Sequence, residues 1–438
     1  MGNGSRGVSG DAPAFGAISA LGSEHLAELL SALLEDPENA AVYGRLRQML
    51  FTVTLMDAPE GEMAGEGTDH DAAAILQGLT DPTLAWVYRP VSYLHRLCDG
   101  WTAMHVEHST VDGATLVEAV RRMQDVAVAE GRVAEGAVEE CRVAEGAVEE
   151  GGDDAPPATT PVAEVTREAG EGAVVGKELA WEWPPELREK ATTLLGEVAT
   201  QAADLRVDVV RTRKPDVQAA GMRVSLDAVQ QLVMALAQHL AYGHVRGHYE
   251  SVDMREYQAG RTECLRPVTP ELIALVEALA GGPVEERTAE GRTAEAQVAG
   301  AWRELLTAAL DAHRGWVKAC KAGRGVDRHL FGLGLAAEAV QERSEALAAL
   351  VGHPAVQAAR EDFLSTTSIG SAAQVVRYAF APTAQDGFGI AYTPGEDWLE
   401  FTVSHWAGRA VQPQRFLTAL ERAAERVDAL LRTVGRGG

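Results

Sequence analysis

The chain has 438 residues, 46% of them hydrophobic, and carries 39 basic against 64 acidic residues, for a formal net charge of -25. This length and apolar content predict a globular protein large enough for two domains, and the charge opposes binding to nucleic acid or to an anionic membrane. Four widely spaced cysteines form neither a metal-binding pair nor a disulfide framework, which favours a reducing cytoplasmic location, and no apolar run reaches the length of a membrane span.

The first predicted elements alternate between helix and strand. Apolar residues at helical spacing predict a helix over 24–50, broken at Asp36-Pro37. A strand over 51–56 follows, and a second strand over 101–107 leads directly to His108. A helix over 114–123 comes next, so this part of the chain has the alternation that is typical of an α/β protein.

The segment 125–176 differs in kind, with 13 acidic and 3 basic residues and an internal repeat at 132–140 and 142–150. A polar, glycine-interrupted duplication without large apolar side chains cannot bury enough surface to offset its ordering entropy. We predict a disordered acidic insert between an N-terminal half-domain at 1–124, which carries the histidine, and a C-terminal domain at 177–438. A frayed helix on the surface is the open alternative for the insert.

Beyond the insert the same alternation continues. A long amphipathic helix is predicted between the capping residue Ser225 and Gly243, which ends it. Further helices are predicted over 181–203, 271–279, 294–321, 330–350 and 414–433, and strands over 205–210, 375–380, 388–392 and 399–404. The predicted fold class is therefore α/β.

His108 opens the run His-Ser-Thr-Val-Asp-Gly at the end of its predicted strand. Imidazole titrates near neutral pH, so it can take a proton from a hydroxyl and later return one to a departing thiolate. Asp112 is better placed to fix the turn than to touch a substrate, and Gly113 lets the next helix start close to the strand. A purely structural histidine at a strand end remains the other interpretation of this pattern.

A metal site is the competing interpretation of a second histidine cluster. His239, His244, His248 and Glu250 lie close together in sequence. They lack the HExxH order, and glycines interrupt them, so we interpret the histidines as solvent-facing turn residues and predict no metal.

Three later segments, taken in order with His108, resemble motifs of the choline/carnitine acyltransferase family. They are Tyr249-Glu250-Ser251 with Gly260-Arg261-Thr262-Glu263, then 313–314 with 325–333, and then 364–368 with 380–392. The resemblance runs from about Pro13 to the final helix and excludes the insert. It implies a two-domain sandwich like that of chloramphenicol acetyltransferase, in which the N-terminal part of the family fold is missing.

The resemblance also implies a mechanism. His108 corresponds to the general base, with Asp112 beside it, and a hydroxyl of the Leu-Ser-Thr-Thr-Ser run steadies the tetrahedral oxyanion. Matching Leu364 to the family motif makes Thr367 that hydroxyl, whereas counting back from Phe380 makes it Ser368. We favour Ser368, and both stay candidates.

The implied substrates are acyl-coenzyme A as co-substrate and carnitine as acceptor, with no permanently bound cofactor. Tyr249, Thr262 and Arg328 match positions that contact carnitine, and a guanidinium can grip a carboxylate by two parallel hydrogen bonds. Cys264 stands where a hydroxyl residue is usual, so another hydroxyl or amino-alcohol acceptor stays open.

Coenzyme A recognition is matched less completely. The matching positions are Lys214, Asp227, Ser251 and Arg314. The family's paired lysines for the coenzyme phosphate are poorly kept, since counting back from Asp227 puts Asp216 and Ala220 at their spacing. A catalytically degenerate or partial paralogue that acts as a binding protein is therefore an open alternative, and a separate N-terminal fragment is the partner that the resemblance implies.

Overall fold

The computed structural model describes residues 13, 16–56, 69–109, 111–129, 179, 181–281, 292–339, 344–370 and 372–436. Its strands are β1 (Thr52–Met56), β2 (Val91–Arg96), β3 (Thr102–Val106), β4 (Leu205–Arg213), β5 (His248–Asp253), β6 (Thr262–Leu265), β7 (Leu364–Thr367), β8 (Phe388–Pro394) and β9 (Trp398–Trp406). Its α-helices are α1 (Ser23–Leu33), α2 (Pro37–Leu46), α3 (His70–Thr80), α4 (Gly113–Ala129), α5 (Pro185–Ala202), α6 (Leu226–Tyr242), α7 (Pro270–Ala280), α8 (Arg292–Lys321), α9 (Asp327–Ala339), α10 (Glu345–Val351), α11 (Pro354–Ala359) and α12 (Pro413–Arg436). Short 3-10 helices lie at Ala17–Leu21 and Val217–Ala220.

The strands form two sheets. The first has the order β1-β2-β3, with β1 parallel and β3 antiparallel to β2. The second has the order β4-β9-β8-β7-β5-β6, in which β7 runs parallel to both β8 and β5 and the remaining pairs are antiparallel. The predicted α/β class is confirmed, and the two sheets are consistent with a two-domain sandwich.

The main core lies on one face of the six-stranded sheet. Helices α6, α7, α8 and α12 supply buried residues to it, among them Leu236, Leu275, Leu306 and Leu420, and Phe388 of β8 packs against them. The Ser225 hydroxyl caps α6 by accepting from the Ala228 amide, and Gly243 ends the helix in the left-handed region at φ 81°. The predicted limits of this helix are therefore confirmed.

A second core joins the first helices to α5. Ile18, Leu29 and Leu33 are buried together with Trp181 and Ala191. This core thus contains residues from both sides of the acidic segment. Helix α4 continues through Ala129, beyond the predicted boundary at 124, and residues 130–176 lie outside the described residues. The three-part division of the chain stays a prediction.

Three predicted elements differ from the structure. Residues 375–380 form no strand, and the side chains of Arg377 and Tyr378 bond instead to Glu400 and to the Thr367 carbonyl. The helix predicted over 181–203 begins only at Pro185, since proline fits the first turn of a helix but not its interior. In place of one helix over 330–350, α9 and α10 are separate helices, and the Ser344 hydroxyl caps α10.

Within the described parts of the chain, the helices are all too short or too polar to cross a membrane.

Candidate active site

His108 lies in the turn between β3 and α4. Its side chain is 74% exposed, and its Nδ1 lies 3.4 Å from the Asp112 Oδ1. The Asp112 side chain is only 11% exposed, and its carbonyl accepts a hydrogen bond from the Thr115 amide at 2.9 Å. Asp112 thus fixes the start of α4 and faces Nδ1 of the His108 imidazole.

Arg261 connects this turn to the six-stranded sheet. Its guanidinium grips Asp112 with two hydrogen bonds, Nε to Oδ2 at 3.0 Å and Nη2 to Oδ1 at 2.9 Å. Nη2 also donates to the His108 carbonyl at 2.6 Å. The carboxylate of Asp112 raises the pKa of Arg261, so the pair is ionic. No local pattern in the sequence predicts this role for Arg261, because its partner Asp112 lies 149 residues away.

Gly113 brings the other side of the turn against the sheet. A Cβ at this position would lie 2.7 Å from Cγ2 of Ile369. Only glycine permits so close an approach without displacing that side chain. Because Ile369 follows Ser368 directly, this contact places the start of α4 beside the predicted oxyanion hydroxyls.

The two hydroxyl candidates lie at the end of β7. Tyr249 of β5 is aligned with Ser365, so Thr367 lies on the same face of the sheet as Tyr249. The Thr367 carbonyl accepts a hydrogen bond from the Tyr378 hydroxyl at 2.7 Å. Ser368 lies just beyond the strand, where its Oγ accepts from the Gly370 amide at 3.4 Å. Both side chains are half-buried, so either hydroxyl remains a candidate.

Predicted acceptor-binding residues share that face. On β5 and β6, Ser251 is paired with Cys264 and Asp253 with Thr262, so these side chains and Tyr249 project to one side. Burial raises the pKa of the Tyr249 phenol and that of the Cys264 thiol, so both are neutral hydrogen-bonding groups at neutral pH.

Arg328 reaches this group from the first turn of α9. Its Nη2 donates to the Thr262 Oγ1 at 3.5 Å, and its amide donates to the Glu263 Oε1 at 3.4 Å. A side chain on Gly325 would overlap the Glu263 carboxyl group, so glycine allows the loop before α9 to approach β6. In the part of the chain that the structure describes, no carboxylate forms an ion pair with Arg328.

The four predicted coenzyme-binding residues are dispersed. Ser251 lies with the acceptor residues, and Asp227 lies at the start of α6, where Tyr392 and His313 contact it. Arg314 pairs with Asp311 on its own helix, and the Lys214 ammonium donates to the Gly395 carbonyl. Within the described residues neither cation contacts another predicted site residue.

The interpretation of His248 as a solvent-facing turn residue is wrong. His248 begins β5 and is 1% exposed, with hydrogen bonds to Gln238 and Gln231 of α6. A Cβ at the adjacent Gly247 would overlap the Glu361 carbonyl oxygen, so the backbone of Glu361 packs directly against this turn. No group of three or more potential metal ligands occurs among the residues with described positions.

Comparison with known protein families identifies the family to which the chain belongs. The model of the family Choline/Carnitine o-acyltransferase matches residues 4–422 of the chain. The chain belongs to this family. The resemblance drawn from the motifs is therefore confirmed.

Curated members of this family match over different lengths. Mitochondrial carnitine O-palmitoyltransferase 2 of Rattus norvegicus is 26% identical over 92% of this chain and 54% of its own length. The Mus musculus protein of that name is 32% identical over 46% of this chain and 28% of its own length. Carnitine O-acetyltransferase of Homo sapiens is 29% identical over 48% of this chain and 31% of its own length. The chain thus spans about half the length of the relative that it matches most fully among these three.

Solved structures with weak similarity include an epimerization domain and an acyltransferase. The epimerization domain of tyrocidine synthetase B aligns with a TM-score of 0.37 at 8% identity, over 88% of this chain and 80% of that domain. A wax ester synthase/diacylglycerol acyltransferase from Marinobacter aquaeolei VT8 aligns with a TM-score of 0.33 at 14% identity, over 86% of this chain and 78% of that enzyme.

Proposed function

We propose that this protein transfers an acyl group between acyl-coenzyme A and the hydroxyl of carnitine, with His108 as general base. The observation that carries the proposal is the tie between Arg261 and Asp112, which holds the histidine turn beside Thr262 and Arg328. Family membership supplies the reaction class.

The chemistry follows from the donors at the site. With Nδ1 of His108 turned to Asp112, Nε2 accepts the proton of the acceptor hydroxyl as its oxygen attacks the thioester carbonyl. A hydroxyl donor, Ser368 or Thr367, stabilises the oxyanion of the tetrahedral intermediate. When the C–S bond breaks, the coenzyme A thiolate recovers the proton from the imidazolium. No permanently bound cofactor takes part.

Arg328 supports carnitine as the acceptor. A free carboxylate of the substrate can take two hydrogen bonds from its guanidinium, with Thr262 and Tyr249 as neutral donors nearby. On the coenzyme side we assign Lys214, Asp227, Ser251 and Arg314 to the binding of acyl-coenzyme A. The cytoplasmic location is also a proposal, supported by the free thiols of Cys98, Cys264 and Cys320.

The test is release of free coenzyme A thiol from acetyl- and octanoyl-coenzyme A, with and without L-carnitine. Carnitine-dependent release should disappear in His108→Ala, because a general base contributes about 10² to 10⁴ in rate. His95→Ala is the matched control. His95 lies on β2, in the sheet that precedes His108, and among described residues its side chain bonds only to Thr102. Normal release by the His108 variant would overturn the mechanism.

A binding protein without turnover is the second candidate. The engagement of Lys214 with Gly395 and of Arg314 with Asp311 favours it, because these cations are already occupied. Calorimetric titration with coenzyme A separates the two. Tight binding by a protein that releases no thiol with carnitine or with a panel of other alcohols and amino alcohols would support the binding role.

A further inference from the structure

A buried polar cluster lies behind the candidate site, on the face of the sheet that packs against α6. It consists of Glu250 of β5, Thr366 of β7, Tyr392 of β8 and Gln231 of α6. These residues are between 0% and 6% exposed. Asp227, whose side chain is 40% exposed, is the point at which the cluster reaches solvent.

The hydrogen bonds of the cluster run in one continuous series. The Tyr392 hydroxyl lies 2.9 Å from the Asp227 Oδ1 and also bonds to the Glu250 Oε1. Gln231 Nε2 donates to the Glu250 Oε2 at 2.9 Å and to the Thr366 Oγ1 at 3.0 Å. The Thr366 hydroxyl then donates to the Tyr249 carbonyl at 2.7 Å. The series thus joins β5 and β7, two of the strands that carry predicted site residues.

Counting protons shows that one carboxyl group of the series is neutral. The Tyr392 hydroxyl has a single proton, yet it contacts carboxyl oxygens of both Asp227 and Glu250. Both contacts are hydrogen bonds only if one carboxyl group carries a proton of its own. Asp227 also faces Nε2 of His313 at 3.2 Å and reaches solvent, whereas the described donors to Glu250, Gln231 and Tyr392, are neutral. Glu250 is therefore the protonated member.

The titration behaviour agrees with this assignment. Burial, reinforced by the charge of Asp227, raises the pKa of Glu250 well above its usual value. Burial alone would raise the pKa of Asp227, but His313 and Tyr392 outweigh it and hold that pKa low. The other titratable groups around Glu250 are Tyr378 and His248, and burial keeps both of them neutral.

We propose that Glu250 is a permanently protonated carboxylic acid that acts as a positioning residue, fixing β7 and β5 relative to each other behind Thr367, Ser368 and Tyr249. Its catalytic consequence rests on the proposed function. An ionised Glu250 would repel Asp227 and compete for the single proton of Tyr392. The contact that aligns β7 through Gln231 and Thr366 would then weaken.

The decisive substitution is Glu250→Gln, because an amide reproduces the donor and acceptor of a protonated acid but not two ionised oxygens. The matched control is Glu400→Gln: Glu400 is as buried, at 1% exposed, but it pairs with the cations Arg211 and Arg377. We expect the infrared band of a protonated carboxylic acid in the wild type and in Glu400→Gln. The same band should be missing from Glu250→Gln.

Unfolding at different pH values gives a second readout without activity. A carboxyl group can have a pKa of about 4.3 in the unfolded chain and yet stay neutral in the folded protein. Such a group lowers the free energy of unfolding as pH rises above that value. Glu250→Gln should therefore match the wild type near pH 4 and exceed it at pH 7. Glu400→Gln should be less stable than the wild type at pH 7.

Turnover tests the positioning role. Glu250→Leu leaves Gln231 and Tyr392 with unpaired polar groups, so kcat should fall about tenfold or more, and Glu250→Gln should restore most of it with KM little changed. A missing acid band, or a Glu250→Gln variant less stable than the wild type at pH 7, would overturn the protonated state. An acid band with equal kcat in all three proteins would overturn positioning alone, and a wild type without turnover would count against the proposed function instead.

Discussion

Asp112 is central to the candidate site, because its carboxylate contacts both the imidazole of His108 and the guanidinium of Arg261. Its side chain is 11% exposed, whereas that of Arg261 is 46% exposed. The carboxylate therefore depends on Arg261 for its charge balance more than the guanidinium depends on Asp112. The orientation of His108 is stabilised from the distant strand β6 as well as from its own turn.

Removing the guanidinium should accordingly affect both stability and turnover. We expect Arg261→Met to lower the free energy of unfolding by about 1–3 kcal/mol, because a buried carboxylate loses its partners. Misplacement of His108 should lower kcat by up to about 100-fold. Denaturant unfolding and thiol release measure the two effects.

Arg255→Met is the control for that substitution. Arg255 pairs with Asp253 on the surface, so its loss should change stability by less than about 1 kcal/mol. An unchanged kcat in Arg261→Met would show that the turn carrying His108 keeps its geometry without Arg261.

Gly113 offers a test of the close approach between the histidine turn and the hydroxyl segment. In Gly113→Ala the new methyl group would meet Cγ2 of Ile369, so we expect a loss of kcat. Ile369→Ala removes the obstructing atoms, and the double variant should recover part of the lost activity. A double-mutant cycle in kcat measures this coupling, and additive effects would contradict it.

At the level of elements, β1 is an exposed edge strand with an unusual surface. Val53 is 54% exposed and Leu55 is 63% exposed, and Phe51 and Leu50 continue the same apolar strip. Exposed apolar edge strands invite pairing with other chains. We expect the double variant Val53→Lys/Leu55→Lys to reduce concentration-dependent association, as measured by light scattering.

The control for the edge strand is Leu350→Lys on α10, a substitution of a similarly exposed apolar residue outside any sheet. It should leave association unchanged. If both variants reduced scattering equally, the loss of exposed apolar surface in general would be the cause instead of the edge.

How well the sequence predicts an element depends on its pattern. The helix between Ser225 and Gly243 has a cap, a stop and apolar spacing of helical period, and all three agree with α6. By contrast β6 and β7 have four residues each and are buried along most of their length, so they lack the alternation that identifies a strand. Predicted residues 375–380 have β-like composition, yet they contact β9 and β7 through the side chains of Arg377 and Tyr378 and form no strand.

The same limit applies to the candidate site. His108 and Asp112 are only four residues apart, so the sequence predicts that they lie in one turn. The contacts of Asp112 with Arg261 and of Glu250 with Tyr392 depend on the order of strands in the sheet, which no local pattern encodes. The burial of His248 follows from the same strand order.

At the scale of the whole molecule, Arg377 joins the two halves of the chain. Its side chain is 13% exposed and bonds to Glu400 of β9 and to Asp69, the capping residue of α3. Arg377→Met should destabilise the protein by about 2–4 kcal/mol, because it leaves a buried carboxylate with fewer partners. Urea unfolding measures this loss.

Arg211→Met is the comparison for Arg377. Arg211 also pairs with Glu400, but its side chain is 49% exposed and, among the described residues, forms no ion pair with the N-terminal half. Its loss should cost less, and the unfolding transition should stay as steep as in the wild type. An equal loss in both variants would contradict a joining role for Arg377.

The contact between Asp112 and Arg261 spans 149 residues, and the acidic segment 125–176 lies between them. In the unfolded chain, the entropy of closing such a loop grows only with the logarithm of its length. Excising the whole segment would therefore favour closure by only about 0.4 kcal/mol. Repeat copies can thus be gained or lost between these two residues over evolutionary time with almost no effect on how readily they meet.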